Sequence, residues 1–273
     1  MCLLFILFGT MKVSTLKNHC NGFIIITMIA FIIGCTRAGG QTVYQLKIYH
    51  LSNHSQEARI HQFLEEAFIP ALHRIGKPKI GVFKAIQPDT VPSLICVLIP
   101  FTSFDELQHL EEKLLADNSF LKHGRDYLDA AHDNPPYDRI ESIIISAFEG
   151  MPDPHFPVHG GPKADHVYEL RSYEGPTERY YRQKVKMFND GDEISLFNRL
   201  GFNAVFYGEV IAGNRMPNLM YMTSFINMAD RDERWERFNA DSQWLDLKAM
   251  EEYKNSVSKV DIYLLQPLEY SDY

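Results

Sequence analysis

An internal repeat constrains this 273-residue chain more than any other feature of its sequence. Four blocks of the first part recur later in the same order, at offsets of 123 to 125 residues. The matching blocks are VYQLKIY at 43–49 with VYELRSY at 167–173, LHRIG at 72–76 with FNRLG at 197–201, Val82-Phe83 with Val205-Phe206, and ADNSFL at 116–121 with ADSQWL at 240–245. A repeat of this length predicts two copies of one folded unit.

Each copy predicts the same order of elements, namely strand, helix, two strands, helix and strand. The opening strands alternate in polarity, and Gly76 and Gly201 stand where a helix C-cap glycine is expected. The predicted strands lie at 43–49, 80–86, 94–99 and 140–148 in the first copy and at 167–173, 203–210, 219–225 and 260–265 in the second. The second helix of each copy is predicted at 103–115 and at 229–238, with a further helical stretch at 242–257. This β-α-β-β-α-β order is the split ferredoxin-like pattern.

One ferredoxin-like unit leaves a face of its sheet bare, and a second copy can cover that face. We therefore predict an α+β fold in which two ferredoxin-like halves pack sheet against sheet as an internal pseudo-dimer. The first half spans 41–149 and the second half spans 167–273. The segment 150–166 between them is rich in Pro and Gly, which indicates a linker without regular structure.

The first forty residues predict an export signal. Lys12 and Lys17 precede an apolar run at 22–34, and small residues follow it, which is the order of a secretory signal. The run is shorter than the ~20 residues that a membrane-spanning helix needs. We expect 1–40 to be a signal peptide or a lipoprotein signal, with an uncleaved anchor as the alternative.

Two processing sites compete in this segment. The sequence IIGC at 32–35 resembles a bacterial lipobox, in which Cys35 would be lipidated, whereas AGG at 38–40 offers an ordinary signal-peptidase site before Gln41. Arg37 fits poorly within a cleavage region and favours the lipobox. Either site predicts an exported body, periplasmic or anchored to the envelope, with secretion as the weaker alternative.

The formal net charge is −8, and residues 1–40 carry three basic residues and no acid, so the body carries −11. That balance repels phosphate backbones and anionic lipid. We therefore expect no nucleic-acid partner and membrane contact only through a lipid at Cys35, while a homo-oligomer is compatible with the sequence. Of the four cysteines only Cys96 lies in the body, which argues against an intrachain disulfide and predicts a buried apolar side chain.

Strand alternation divides each opening strand into two faces. The odd-numbered residues of 43–49 and 167–173 are the more polar set, so we expect them to point into the space between the two sheets. The predicted ligand-binding residues are Gln45, Lys47, Tyr49, Glu169, Arg171, Tyr173, Tyr207 and Tyr221. Charges in such a space need partners, and Glu169 could pair with Arg171 or with Lys47. The set predicts either a polar-aromatic pocket for a small ligand or a satisfied salt-bridge network between the halves.

No motif predicts a metal or a cofactor. His61 with Glu65 has ligand-like spacing, but surface solvation explains this pair equally well. His155 and His159 are joined by no Cys or acidic cluster. The sequence also lacks a Gly-rich phosphate loop, a Gly-x-Ser-x-Gly elbow and a Cys-x-x-Cys pair. We therefore expect neither a metal nor a cofactor.

The repeated blocks resemble the NIPSNAP family, once in each half and over nearly the whole of 42–268. The segments that carry the resemblance are VYELRSY and VYQLKIY, the helix ends RLGF and RIGK, the strand FYGEV, and ADSQWL and ADNSFL. The first copy is the more divergent, because Gln45 replaces the acid at Glu169 and Phe120 replaces Trp244. The resemblance implies an intramolecular dimeric α/β barrel, in a superfamily that includes cofactor-free monooxygenases, isomerases and haem enzymes, and it implies no catalytic residue set.

Three functions are compatible with these observations. We favour the binding of a small ligand in the barrel between the sheets. The first alternative is a cofactor-independent monooxygenase or isomerase for a small aromatic or carbonyl compound, with Glu169 or a histidine as the base and with Arg171 and Tyr173 stabilising an anion. The second alternative is a protein-interaction module that uses the edge strands or the linker.

Overall fold

Eight strands and ten α-helices are found in the described part of the chain, which comprises residues 41–87 and 94–273 of the computed structural model. The strands are β1 (Val43–His50), β2 (Gly81–Ala85), β3 (Ile95–Phe101), β4 (Arg139–Ala147), β5 (Val167–Glu174), β6 (Asn203–Ala212), β7 (Asn218–Phe225) and β8 (Lys259–Pro267). The helices are α1 (His54–Phe63), α2 (Ile69–Arg74), α3 (Phe104–Gln108), α4 (Leu110–Leu115), α5 (Asn118–His123), α6 (Arg125–Leu128), α7 (Glu178–Asn189), α8 (Glu193–Arg199), α9 (Met228–Ala240) and α10 (Ser242–Ala249). The predicted export signal, with both of its processing sites, lies outside the described residues.

The eight strands form one closed antiparallel barrel in the order β1-β3-β2-β8-β5-β7-β6-β4. The strands of the first half are adjacent as β4-β1-β3-β2, and those of the second half repeat this order as β8-β5-β7-β6. The halves join where β2 pairs with β8 and where β4 pairs with β6. Each half therefore covers the sheet edges of the other, and the described strands leave no free edge.

The barrel interior is an apolar core to which both halves contribute. On β1 and β5 it takes the even-numbered side chains, Tyr44, Leu46, Ile48, Tyr168 and Leu170, together with Phe83, Leu98, Phe206, Met222 and others. The predicted orientation of these two strands is therefore wrong, since the odd-numbered residues point outward to the helices. The physical reason is that a closed barrel shields its interior from water on all sides, whereas polar atoms under the helices reach solvent at the helix margins.

Two helical layers cover the outside of the barrel. In the first half α1, α2, α4 and α5 pack on β1, β2 and β3 around Ile60, Leu64, Leu72 and Phe120. In the second half α7, α8 and α9 pack on β6 and β7 around Phe188, Phe197, Phe202 and Phe238. Cys96 is buried inside the barrel with a free thiol, as the sequence predicted, and burial raises the pKa of that thiol to about 12.

Short local signals start and end these helices. The side chains of Asn53, Thr177 and Asn227 each accept a hydrogen bond from a backbone N–H of the first helical turn. Gly76 and Gly201 have φ values of +88° and +79°, which confirms both C-caps. In each case the glycine and the residue after it donate to carbonyls of the last turn, the Schellman arrangement.

Two predicted helices differ from the structure. The helix predicted at 103–115 is interrupted at His109, which separates α3 from α4. The helix predicted to reach residue 257 ends at Ala249, because Met250 turns to a backbone ψ of 129°. None of the helices in 41–87 and 94–273 combines the length and apolarity needed to cross a bilayer.

The segment 150–166 packs along the barrel and has only one short 3-10 turn, Lys163–Asp165. His155 donates its backbone N–H to the carbonyl of Val205 at 3.1 Å. The ring of Phe156 lies 5.3 Å from that of Tyr273, next to the interior core. This part of the chain therefore contributes to the packing at one end of the barrel.

Candidate functional site

The predicted site residues fall into two regions, one in each half, and both lie between the outer face of the barrel and the helices. We call the region around Gln45 and Lys47 the first-half pocket and the region around Arg171, Tyr173 and Tyr221 the second-half pocket. The two regions occupy equivalent places, since β1 pairs with β3 in the register in which β5 pairs with β7. Lys47 lies opposite Val97, and Arg171 lies opposite Tyr221.

A carboxylate without solvent exposure organises the second-half pocket. Glu169 accepts hydrogen bonds from Nε of Arg171 at 2.5 Å, from Nε of Arg231 at 2.6 Å and from Nε1 of Trp235 at 2.9 Å. The predicted pairing of Glu169 with Arg171 is confirmed. The alternative pairing with Lys47 is wrong, because the two side chains lie on the outer faces of different halves.

Arg171 continues this network along β5 and β7. Its Nη1 donates to the hydroxyl of Tyr173 at 3.1 Å, and the hydroxyls of Tyr173 and Tyr221 lie 2.9 Å apart. The guanidinium is also 3.7 Å from the ring centroid of Trp235, a stacking distance. Burial alone would lower the pKa of Arg171, but the neighbouring hydroxyls of Tyr221 and Tyr173 and the Glu169 carboxylate outweigh burial and raise that pKa. Burial raises the pKa of Tyr221 as well.

A second buried ion pair lies deeper in this pocket. Nζ of Lys184 on α7 donates to both carboxylate oxygens of Glu193 on α8, at 2.7 and 3.0 Å. The same ammonium is 4.6 Å from the ring centroid of Phe188 and 5.6 Å from that of Trp244. Burial raises the pKa of Glu193 although Lys184 pulls it down. The pair was missed from the sequence, where the available signal was a lysine on the apolar face of α7, three residues after buried Tyr181.

The first-half pocket has a different character. The side chain of Lys47 forms no ion pair and no hydrogen bond within 41–87 and 94–273, and its Nζ is 5.1 Å from the ring centroid of Phe68 and 5.6 Å from that of Tyr49. Gln45 donates to the hydroxyl of Ser142 at 2.9 Å, and its own Oε1 is buried with no partner among the described residues. The pocket encloses about 420 Å³. Its walls are mainly apolar and include Phe63, Phe68, Leu107, Leu110, Leu114 and Phe120, and exposed Glu111 is an acid that also lines it.

The other two predicted residues, Tyr49 and Tyr207, are buried next to these pockets. Tyr49 is fully buried, with its ring 6.1 Å from that of Tyr137. Tyr207 is fully buried beside Tyr221, with 5.6 Å between the ring centroids, and burial raises its pKa. Both fill the layer between sheet and helices. No group of three metal-binding side chains occurs in the part of the chain that the structure describes.

Comparisons with known proteins match a family model to the second half of the chain and give a fold for most of it. The NIPSNAP family model matches residues 168–272. A Fusobacterium nucleatum protein provisionally assigned as a monooxygenase has a TM-score of 0.53 and 6% identity, and the match covers 84% of this chain and 94% of that one. A protein from Lactobacillus acidophilus with the same provisional assignment has a TM-score of 0.52 and 9% identity, with coverages of 83% and 94%.

A NIPSNAP-like domain protein from Burkholderia xenovorans has a TM-score of 0.36 and 15% identity, over 40% of this chain and 90% of that one. No curated protein sequence matches this chain. At such identities the two monooxygenase-named structures show the fold alone, an α/β barrel that spans most of the chain.

Proposed function

The second half of this chain is a NIPSNAP domain within a closed α/β barrel. Because neither this family nor this fold determines a reaction or a ligand, we propose a function from the side chains that line the pockets. The protein binds a small acid with an apolar body, and the acid lies in the first-half pocket with its carboxylate on Lys47. The single observation that carries this proposal is a half-buried lysine that faces aromatic rings and has no counter-ion within 4 Å among the described residues.

The charge of Lys47 selects an anion. A cation that is partly removed from water loses hydration, and an opposite charge within hydrogen-bonding distance restores the lost energy. In the second half the equivalent cation, Arg171, has Glu169 as its counter-ion. In the first half the position of Glu169 is occupied by Gln45, which carries no charge. The first-half pocket therefore has a place for a negative charge that the described chain does not fill.

The walls of the pocket select an apolar body. Each buried CH₂ group of a ligand contributes roughly 0.8 kcal/mol, and a volume of about 420 Å³ lies at the lower end of the range for small-molecule sites. An unbranched acid of medium length meets both demands. The buried Oε1 of Gln45, which lacks a partner among the described residues, suits a ligand hydroxyl or a protonated carboxyl near the same end.

A binding site in the barrel interior, our expectation from the sequence, has less support. The even-numbered side chains of β1 and β5 fill that space with aromatic and aliphatic groups. A ligand there would have to displace a packed core, whereas the first-half pocket is open.

The alternative of a cofactor-independent monooxygenase rests on the likeness in fold to two proteins with that provisional assignment. It would use Glu169 as the base. Both oxygens of that carboxylate already accept hydrogen bonds from Arg171, Arg231 and Trp235, so proton abstraction would first require breaking this network. Ligand binding needs no such rearrangement, and we favour it.

We also propose that the two halves are ferredoxin-like copies of one unit. The proposal is supported by the identical strand order of the halves and by the matching Schellman caps at Gly76 and Gly201. A chain permuted to begin at residue 160, with the original ends joined, should fold to the same barrel. Loss of the native circular dichroism spectrum in the permuted chain would count against it.

Export is a further proposal, supported by the basic, apolar and small segments of 1–40. Intact mass spectrometry of the protein from a bacterial host tests it. A mature chain that begins at lipidated Cys35, or one that begins at Gln41, would support export by the respective route. A full-length cytoplasmic product would refute it.

Calorimetric titration with decanoate tests the proposed function. We expect saturable binding of decanoate and binding of decanol that is at least tenfold weaker. Lys47→Met should lower the affinity for decanoate by about ten- to a hundredfold, because a hydrogen bond to a charged group contributes about 1.5–3 kcal/mol. Lys122→Met, at an exposed position on α5, is the matched control and should bind as the unmodified protein does. Equal affinity for decanoate and decanol would refute the proposal, as would an affinity for decanoate that is unchanged in Lys47→Met.

A further inference from the structure

We propose that the second-half pocket is a separate ligand site, one that takes a small aromatic carboxylate. The inference is independent of ligand binding in the first-half pocket, because it rests on different side chains. It combines the net charge, the unused hydrogen-bond donors and the aromatic walls of a cavity of about 310 Å³.

The charge of the cavity favours an anion. Three cations line it, Arg171, Arg231 and Lys184, and they face two buried carboxylates, Glu169 and Glu193. One further acid, Asp232, also contacts Arg231, but its side chain is 62% exposed, so water weakens its effect. Among the five largely buried groups, three cations and two carboxylates, one positive charge is in surplus, and this surplus disfavours cationic ligands.

Two guanidinium groups in the cavity have N–H donors that no described residue accepts. Arg171 uses Nε and Nη1 for Glu169 and Tyr173, and Arg231 uses Nε and Nη1 for Glu169 and Asp232. Within the described ranges, Nη2 of each arginine makes no hydrogen bond to another residue. The planar guanidinium fits the geometry of a carboxylate better than an ammonium does. A carboxylate bound here would use these free donors and leave the internal network intact.

The aromatic side chains that line the second-half pocket favour a ligand with an aromatic ring. Trp235 from α9 and Trp244 from α10 line the cavity together with Tyr173 and Phe238. Indole and phenol rings gain about 0.5–1.5 kcal/mol from a well-placed aromatic partner beyond the area that they bury. The cavity is smaller than the first-half pocket, which limits the ligand to about one ring with its acid group. The first-half pocket offers a single ammonium, a larger volume and no guanidinium group, so the two sites should prefer different acids.

The tryptophans make this site directly observable. The chain has two of them, and both line the second-half pocket, whereas neither lines the first-half pocket. We expect benzoate to change the tryptophan fluorescence in a saturable manner, and cyclohexanecarboxylate and benzyl alcohol to bind at least fivefold more weakly. Arg231→Lys should lower the affinity for benzoate at least fivefold, because it keeps the positive charge and removes the planar guanidinium with its free Nη2 donor. Lys122→Met serves as the unaffected control.

A fluorescence signal that does not saturate up to millimolar benzoate would overturn the inference, as would equal affinity in Arg231→Lys. Trp244→Leu removes the ring and guards against a folding artefact, since Trp235 still reports on the cavity in that variant. Its circular dichroism should match that of the unmodified protein, and an unchanged affinity for benzoate in it would remove the stacking argument. Failure here leaves the decanoate titration intact, because calorimetry of the first-half pocket does not depend on tryptophan.

Discussion

The two pockets occupy the same place on the repeated unit and differ in how their charges are neutralised. In the second half, Glu169 and Glu193 neutralise Arg171 and Lys184 at hydrogen-bonding distance. In the first half, Lys47 lies at the position of Arg171 among phenylalanine and leucine side chains, and no acid of the described chain is within 4 Å of its ammonium, although Glu111 also lines the pocket. One backbone arrangement can therefore either pair its central cation with an internal carboxylate or leave that cation without an internal counter-ion.

The difference also separates stability from binding. Buried ion pairs are expensive to break, because removal of one partner leaves an unpaired charge out of water. An unpaired lysine in a pocket lowers the free energy of unfolding of the free protein. When an anion binds to the lysine, the free energy of unfolding rises again. Changes to the second-half network should therefore act mainly on folding, and changes at Lys47 mainly on ligand affinity.

The largest effect is expected from Lys184→Met, which leaves Glu193 buried without its partner. The free energy of unfolding should fall by about 3–4 kcal/mol at neutral pH, measured by urea denaturation. Burial already raises the pKa of Glu193 above 4.5, so the deficit should be small near that pH and grow as the pH rises through the folded-state pKa, where a carboxylate must ionise in place. The double variant Lys184→Met with Glu193→Leu, which gives this layer the apolar character of the first half, should recover most of the loss. A double variant no more stable than the single one would contradict our account of the pair.

A smaller loss is expected from Glu169→Ala, because Arg171 and Arg231 keep side-chain exposures of 13% and 18% and are partly hydrated. We expect a fall of about 2–3 kcal/mol in the free energy of unfolding. The equivalent change in the first half, Gln45→Ala, removes one neutral hydrogen bond to Ser142 and should cost about 0.5–1 kcal/mol. Equal losses in the two variants would mean that the halves do not differ as described.

The exchange Gln45→Glu sharpens the comparison from the opposite direction. It places in the first half the acid that the second half has at Glu169, within reach of Lys47. The new carboxylate should neutralise Lys47 and lower the affinity for decanoate by about tenfold, with repulsion of the ligand adding to the effect. The isosteric reference is the unmodified Gln45 protein titrated in the same calorimeter. Undiminished binding would show that Lys47 does not hold the acid.

The smallest effect is expected from Tyr173→Phe, which removes one hydroxyl from the chain between Arg171 and Tyr221. Thermal denaturation should show a loss of about 1 kcal/mol, the contribution of a typical hydrogen bond. Tyr180→Phe, at a position 42% exposed on α7, is the matched control and should lie within about 0.5 kcal/mol of the unmodified protein. A loss in the control equal to that in Tyr173→Phe would remove the specific role of this hydroxyl.

Much of the fold was accessible from the sequence because the signals for it are local and occur twice. The positions of the strands, the glycines that end α2 and α8, and the pairing of Glu169 with Arg171 all follow from spacing along one element. The β-bulge between Ala204 and Phe206 was not accessible, and it shifts the register so that Tyr207 and not Val205 matches Val82.

The orientation of β1 and β5 was predicted wrongly for a physical reason. Both faces of these strands are buried, so polarity alone does not tell which face meets helices and which meets the other half. Lys184, Glu193 and Arg231 were missed because they lie on helices, where the alternation of a strand gives no orientation, and only the tertiary structure shows that they face β5.

The crystal structure of the protein with decanoate tests the central claim most directly. Our account predicts the ligand between β1 and the helices of the first half, with its carboxylate about 2.8 Å from Nζ of Lys47 and its chain along Phe68 and Leu110. Decanoate found inside the barrel or in the second-half pocket, or a first-half pocket without ligand at saturating concentration, would contradict it.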